Sequence, residues 1–330
     1  MLGAIKHFSA LTGLIALKRF RKRLPLRIVG VAMYLRDFRS ILTKEKPTGM
    51  SELHDLQLCA DDFGLSEGID LAIIDLIQRA RLTATSCMMA GPSLPIHVDP
   101  LRSLHDHVDI GLHLTFTDLK PLGTMPRTCP SSEPLPLKVL MARSFTGGVD
   151  YSEIKAEIGR QVDAFEMFFG FPPDFVDGHQ HVHLLPPIRK ALFEHYREGR
   201  LTTGTAIRNC ADTIPAIFGR GIEVPKTLFI AALSFGLAHT ARRLGVPVND
   251  SFRGVTAFDA SRPLRPVFSR FLDGASQTPL LMCHPGLPDF EPHSTDVIAA
   301  ARVQEYSYLS SDAFAADLAA ANARLRCRPR

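Results

Sequence analysis

From residue 55 onward the sequence alternates strand-like apolar stretches with amphipathic ones, and this alternation constrains the fold more than any other feature. Stretches 55–62 and 109–116 have the length and composition of strands, and helical periodicity follows in the stretches between strands. Strands that alternate with helices form parallel sheets, because a parallel connection needs a crossover long enough to hold a helix. We therefore predict an α/β fold built on a parallel sheet, either open or closed.

The remaining predicted elements follow the same order along the chain. Further strands are predicted at 83–90, 174–178, 205–209, 251–257 and 279–283, and helices at 67–81, 96–105, 151–169 and 187–197. Residues 117–149 are rich in proline and glycine, so we predict a long loop there rather than regular structure. Residues 210–250 are predicted to be mostly helical with breaks, and residues 310–325 to form a closing helix.

Residues 1–50 differ from the rest of the chain in charge. They contain 11 Lys+Arg and 2 Asp+Glu, whereas residues 51–330 contain 27 and 32, so the net charge of +4 separates into +9 and −5. An acidic body argues against nucleic-acid binding. We therefore divide the chain into a basic N-terminal extension, 1–50, and one domain, 51–330. Three interpretations of the extension stay open: an arm on an anionic membrane surface, a disordered or partner-binding arm, and an over-extended start before Met50.

Several common site motifs are absent. The sequence has no GxSxG, GxGxxG, P-loop or HExxH motif, which argues against the enzyme classes that depend on them. None of the six cysteines lies in a CxxC pair, which excludes zinc ribbons and thioredoxin-type redox motifs. We expect free thiols and hence a cytoplasmic protein, peripheral on the inner face of the membrane if the extension binds lipid.

Polar residues follow four of the predicted strands at the point where each strand ends. The four clusters are DDFG at 61–64, GLH at 111–113, DGHQHVH at 177–183 and CHP at 283–285. Because the carboxyl ends of parallel strands form one face, we expect these clusters to converge on one pocket.

The residue types in these clusters are typical of a catalytic metal site. Three histidines and an aspartate within 177–183 favour metal binding over a solvated histidine-rich loop, and two histidines with one carboxylate form a catalytic coordination pattern. Neighbouring strand residues point to opposite faces, so Asp61 and Asp62 need not do the same job: one can hold a metal while the other stays free. His284, at a strand end, suits proton donation to a leaving group.

The clusters, in this order, resemble the YdjC/ChbG-like family of carbohydrate deacetylases, which includes the hopanoid-biosynthesis-associated deacetylase branch. The matching stretches are ADDFGLS (60–66), TATSCMM (83–89), GLHL (111–114), DGHQHVH (177–183), IR (207–208) and MCHP (282–285). The resemblance implies a distorted (β/α) barrel with a single catalytic domain. It also implies a metal-dependent hydrolase that removes acetyl from an N-acetylated sugar, in an oligosaccharide or a lipid-linked glycan, by attack of a metal-activated water.

The resemblance also implies roles for individual residues. The metal-binding positions are matched by Asp62, His113 and His179. Asp61 matches the catalytic base, and His284 matches the histidine that faces it. Arg208 matches an arginine of the pocket. We expect His181 and His183 to orient the metal ligands or to contact the substrate.

The implied metal is Mg²⁺, although two imidazole ligands equally suit Zn²⁺ or another transition metal. The predicted partners are an N-acetylated carbohydrate, a membrane surface for residues 1–50 and, with oligomeric state left open, a second copy of the chain; no nucleic acid is expected. Two alternatives to deacetylation remain. One is another metal-dependent hydrolase on the same scaffold, acting on a phosphoester or a lactone, and the other is a non-catalytic metal- or sugar-binding module.

Overall fold

The computed structural model describes residues 53–272, 279–288 and 296–328. Within these residues eight strands form one parallel sheet in the order β5-β4-β3-β2-β1-β7-β6, and β8 pairs with β1. The strands are β1 His54–Phe63, β2 Ala84–Cys87, β3 Asp109–Leu114, β4 Phe175–Gly178, β5 Ala206–Ile207, β6 Ser251–Arg253, β7 Pro279–Cys283 and β8 Ala323–Leu325. The predicted extension, 1–50, lies outside the described residues, so the proposed division of the chain stays a prediction.

The two edges of the sheet approach each other and make it a distorted barrel. Ile207 of β5 forms a parallel bridge with Val248, just before β6, and its N–H donates to the carbonyl of Pro247 at 3.0 Å. Across the same gap the Asn209 N–H donates to Asn249 Oδ1 at 2.8 Å, and Asn249 Nδ2 donates to the Asn209 carbonyl at 2.7 Å. The two edges of the sheet are thus joined by irregular hydrogen bonds, and the predicted distorted (β/α) barrel is confirmed.

Helices cover the outside of the sheet, whose central strands are buried. They are α1 Glu67–Gln78, α2 Leu94–Arg102, α3 Leu137–Thr146, α4 Tyr151–Phe169, α5 Pro186–Arg197, α6 Ile214–Arg220, α7 Val224–Leu233, α8 Leu237–Arg243, α9 Arg265–Leu272, α10 Ala299–Leu309 and α11 Asp312–Ala320. Every residue of β2, β3 and β4 is buried. This is the pattern expected of parallel strands covered on both faces.

The long helix α4 anchors the loop that follows β3. The Asp150 side chain caps the helix by accepting hydrogen bonds from two backbone N–H groups of the first turn. Further along, the buried side chains of Glu157 and Gln161 accept hydrogen bonds from the backbone N–H groups of Leu122, at 2.8 Å, and Thr115, at 3.0 Å. The start of this loop is therefore fixed where it leaves the carboxyl end of β3.

Two sequence predictions of secondary structure were wrong. Residues 117–149 are not entirely loop, because α3 forms after Pro136, which stands at the N-cap, and ends at Gly147 with φ of 79°. The prolines and glycines of residues 117–149 all lie outside α3, so they bound the helix and do not prevent it from forming. Residues 310–325 are not one helix, because Asn322, with φ of 49°, ends the helical region and residues 323–325 pair with β1. The helix α10 was not predicted.

Candidate active site

Asp61 and Asp62 enter the same pocket because β1 contains a bulge. Its register with β2 shifts between Ala60 and Phe63, so both carboxylates stand opposite Ser86. Asp62 adopts a left-handed φ of 73° at this point. The sequence predicted that the two carboxylates lie on opposite faces of a regular strand. The bulge instead places both in one pocket, where they have different partners.

Asp62, His113 and His179 meet at the carboxyl ends of β1, β3 and β4. Asp62 Oδ1 lies 3.2 Å from His113 Nε2 and 2.9 Å from His179 Nδ1. One ligand atom from each residue lies within 4.8 Å of the other two, and all three side chains are buried. The structure thus brings together the three residues predicted to bind metal.

A further carboxylate contacts the second nitrogen of each histidine. His113 Nδ1 lies 2.6 Å from Oδ1 of Asp177, its register partner on β4, and His179 Nε2 lies 2.8 Å from Asp118 Oδ2. Such carboxylates orient metal-binding histidines and fix their tautomers. Asp177 belongs to a predicted motif but had no predicted role. Asp118 was missed, because it lies in a loop and no local pattern marks it.

The electrostatics of the three residues fit a divalent cation. Burial lowers the pKa of His113, but Asp177, Asp62 and Asp61 outweigh burial and raise that pKa to about 10. The surrounding carboxylates therefore favour positive charge at this position. One carboxylate oxygen and two imidazole nitrogens form a donor set typical of catalytic sites for divalent ions.

Arg208 holds Asp61 in place. Its guanidinium lies 2.6 Å from each carboxylate oxygen of Asp61 and 2.5 Å from Asp177 Oδ2. Burial raises the pKa of Asp61, but the charge of Arg208 outweighs burial and holds this pKa below its usual range. Cys59, Asp61 and Asp177 also have ligand atoms close enough together to hold a cation. Arg208 supplies that cation, since its Nη2 contacts all three residues.

His284 directly follows β7, whose last residue, Cys283, pairs with Ala60, the residue before Asp61. Its backbone N–H donates to Glu305 Oε2, and its ring packs edge-to-face against Phe258 with centroids 5.0 Å apart. Among the described residues its buried Nδ1 has no hydrogen-bond partner. Burial lowers the pKa of His284 to about 4 and raises that of Glu305 to about 7. The site therefore contains a buried imidazole nitrogen that no described residue engages.

Arg302 and Glu305 of α10 complete the pocket, and sequence analysis missed both. Arg302 Nη2 lies 2.7 Å from Asp62 Oδ2, and Arg302 Nε lies 2.5 Å from Asp296 Oδ2. Because Arg302 engages Oδ2 of Asp62, the other oxygen faces the histidines. The one available signal was the spacing of Arg302 and Glu305, three residues apart, which places them on the same side of a helix.

The other two histidines of the motif contact partners outside the triad of Asp62, His113 and His179. The 3₁₀ segment His179–Leu184 contains two consecutive residues with left-handed φ, so the histidines do not share a face. His181 Nδ1 lies 3.7 Å from Cys210 Sγ, whereas His183 Nε2 donates to the carbonyl of Arg208 at 3.1 Å. His183 thereby supports the arginine that binds Asp61; substrate contact by either histidine stays a prediction.

Curated relatives align with part of the chain. A chitooligosaccharide deacetylase of Yersinia pestis bv. Antiqua (strain Angola) is 34% identical over 142 residues, and one of Serratia marcescens is 37% identical over 129 residues. The alignments cover 43% and 39% of this chain, and 55% and 50% of those relatives. The chain thus spans about half the length of the curated relatives it matches.

The fold and the family are shared over a larger part of the chain. A crystal structure from Enterococcus faecalis V583, named for a provisional role in cellobiose-phosphate cleavage, has a TM-score of 0.61 at 19% identity. It covers 84% of this chain and 98% of its own, which shows a common fold. The family described as YdjC-like protein matches residues 55–320, a range that includes every site residue described above. The chain therefore belongs to the YdjC-like protein family.

Proposed function

We propose that the protein is a metal-dependent hydrolase that removes acetyl from an N-acetylated sugar. The observation that carries this proposal is the buried triad of Asp62, His113 and His179 beside Asp61, which Arg208 keeps ionised. Relatives named chitooligosaccharide deacetylase support the acetamido group of a sugar as the substrate.

The triad would hold one divalent cation, which when bound supplies Lewis-acid polarisation of the acetyl carbonyl. Arg302 orients Asp62, while Asp177 and Asp118 orient the two histidines. The proposal includes two metals. The family resemblance implies Mg²⁺, and two imidazole ligands also suit Zn²⁺.

Asp61 acts in this scheme as the general base that takes a proton from the attacking water. Arg208 fixes both of its oxygens, and Ser86 Oγ lies 3.3 Å from Oδ1. The pairing keeps Asp61 ionised at neutral pH and holds it in one orientation. Orientation matters because a general base must lie within hydrogen-bond reach of the proton that it takes.

His284 acts as the general acid that protonates the departing sugar amine. Its buried Nδ1 has no hydrogen-bond partner among the described residues, so no protein group holds this nitrogen in another role. With a pKa of about 4 the ring is mostly neutral at pH 7 before the reaction. It must therefore take up a proton from solvent before the C–N bond breaks, and it then gives this proton to the departing amine. The proton that Asp61 takes from the attacking water is released to solvent at the end of the cycle.

The variant His284→Gln separates this role from binding. We expect kcat/KM for an N-acetylated sugar to fall by about 10²–10⁴-fold, the usual contribution of a positioned acid. An activated aryl acetate should lose much less, because its phenolate leaves without a proton. Equal losses on the two substrates would contradict the general-acid role.

Released acetate tests the function itself. We expect the purified full-length protein to release acetate from chitooligosaccharides, to lose this activity after EDTA treatment and to regain it with Mg²⁺ or Zn²⁺. Parallel assays with a sugar phosphate and a lactone address the rival hydrolase reactions. Metal-loaded protein that releases no acetate but cleaves either of those substrates would overturn the proposal, and binding without any turnover would favour the non-catalytic module.

A further inference from the structure

Residues 224–249, between Glu223 and Asp250, form a stretch with only basic charges in an otherwise acidic domain. This stretch contains three Lys/Arg residues, Lys226, Arg242 and Arg243, and no Asp or Glu. The domain as a whole, 51–330, has 27 basic and 32 acidic residues. On α8 the exposed positions include both arginines, so their charge faces outward.

The neighbouring helix α7 exposes apolar side chains where a globular helix normally exposes polar ones. Pro225, Phe229 and Ala232 are all exposed, and their spacing of four and three residues places them on one face. Phe235, in the turn after α7, is a further exposed apolar side chain. Phe229 is 51% exposed and Phe235 is 67% exposed. Exposed apolar side chains that are followed along the chain by two exposed arginines match the acyl and phosphate layers of an anionic membrane surface.

This stretch is too short in its folded form to cross a bilayer. Among the described residues Val224–Arg243 is the one helical stretch that is long and apolar enough, by length and composition alone, to cross a membrane. A turn at Gly236, whose φ is 79°, divides it into helices of 10 and 7 residues. At 1.5 Å per residue α7 is about 15 Å long, about half the thickness of the hydrocarbon core.

We propose that α7 and α8 dock the protein on an anionic lipid bilayer. Phe229 and Phe235 enter the interfacial region, and Arg242 and Arg243 contact the phosphates of the headgroups. We commit to a lipid surface because the exposed charges of this stretch, Arg242 and Arg243, are complementary to anionic headgroups, while its exposed phenylalanines suit the acyl region. We call α7, α8 and the turn between them the docking surface; this proposal is separate from the membrane contact predicted for residues 1–50.

The docking surface adjoins the candidate active site. Lys226 Nζ at the start of α7 donates to the Thr256 carbonyl at 2.9 Å and lies 4.9 Å from the ring centroid of Phe258, which packs against His284. Docking therefore places the pocket beside the bilayer, where a substrate linked to lipid is available. The docking itself does not depend on the deacetylase proposal.

Tryptophan substitution gives a direct test, because the chain contains no tryptophan. In full-length F229W, vesicles of phosphatidylglycerol and phosphatidylcholine should shift the emission to the blue, and brominated acyl chains should quench it. The matched control is F145W, since Phe145 on α3 is 57% exposed and lies outside the surface; its emission should not change. Vesicle binding that leaves the F229W spectrum unchanged would overturn the proposal. A blue shift that appears without vesicles when the protein concentration is raised would also overturn it, because it would show that a second copy of the chain covers Phe229.

Charge neutralisation provides a second measurement. We expect R242Q/R243Q to bind these vesicles about 30-fold more weakly at low salt, and the difference to shrink as salt rises. The control R127Q/R262Q removes two arginines whose side chains are 77% and 78% exposed elsewhere on the domain. Equal weakening in both double variants would show that net charge, rather than this surface, binds the lipid, and would contradict the proposal.

Discussion

The variant His179→Gln is expected to lose its bound metal and its hydrolytic activity together. Asp62, His113 and His179 are the three proposed ligands, and the described part of the chain offers no spare beside them, so we expect each to be needed to hold the ion. Removing an outer partner of a metal ligand lowers metal affinity by about 10–100-fold. Removing a ligand should lower metal affinity by more than removing its outer partner, and we expect a loss of at least about 100-fold in metal affinity. Elemental analysis of purified protein and acetate release measure the two quantities on the same sample.

The control for this prediction is His195→Gln. His195 is also a buried histidine, and its Nε2 donates to the Lys155 carbonyl at 2.9 Å, a contact between α5 and α4 rather than in the pocket. This variant should keep metal and activity as long as it folds, which circular dichroism verifies for both variants. Full metal occupancy in folded His179→Gln would remove His179 from the set of ligands.

Asp61→Asn is expected to keep its metal and to lose about 10²–10⁴-fold in turnover. Asparagine has nearly the same shape and still accepts a hydrogen bond from Arg208, but it cannot take a proton from water. Asp61 is outside the triad, so metal content should stay close to that of the unchanged protein. Elemental analysis and kcat at saturating substrate check the two halves of this prediction.

Asp177→Asn is the matched comparison, because Asp177 contacts the same guanidinium and also His113. Its loss should weaken metal affinity by about 10–100-fold, and turnover should recover when metal is added in excess. Although both aspartates contact Arg208, their variants should therefore differ: Asp61→Asn loses turnover and keeps its metal, whereas Asp177→Asn loses metal affinity. If excess metal restores Asp61→Asn equally well, Asp61 is a support for the metal site and not the base.

Local sequence signals predicted much of the fold. The helix predicted at 151–169 has these bounds in the structure, because the Asp150 cap and the glycine that ends the helix are both local. The polar clusters at strand ends predicted the pocket, since parallel strands direct their carboxyl ends to one face. The strand β8 was not predicted, because its alanine-rich surroundings favour helix and only its pairing with β1 makes it a strand.

Parts of the site that depend on distant contacts were beyond sequence analysis. Asp118 reaches His179 from a loop, and its position depends on how α4 binds the start of that loop. Arg302 and Glu305 are charged residues on a helix, and such residues usually face solvent. Their burial follows from packing α10 against the carboxyl ends of the strands, which no local pattern records.

The position of β1 at the centre of the sheet has a consequence for synthesis. This first strand pairs with β7, where Leu58 stands beside Leu281, and with β8, where Leu56 stands beside Leu325. Asp62 and its partner Arg302 are 240 residues apart. At about 5–20 residues per second a ribosome needs roughly 10–50 s to cover that distance. Through this interval the nascent β1 keeps an unpaired apolar edge, so chaperone protection during translation, rather than the stability of the finished barrel, should limit the yield of folded protein.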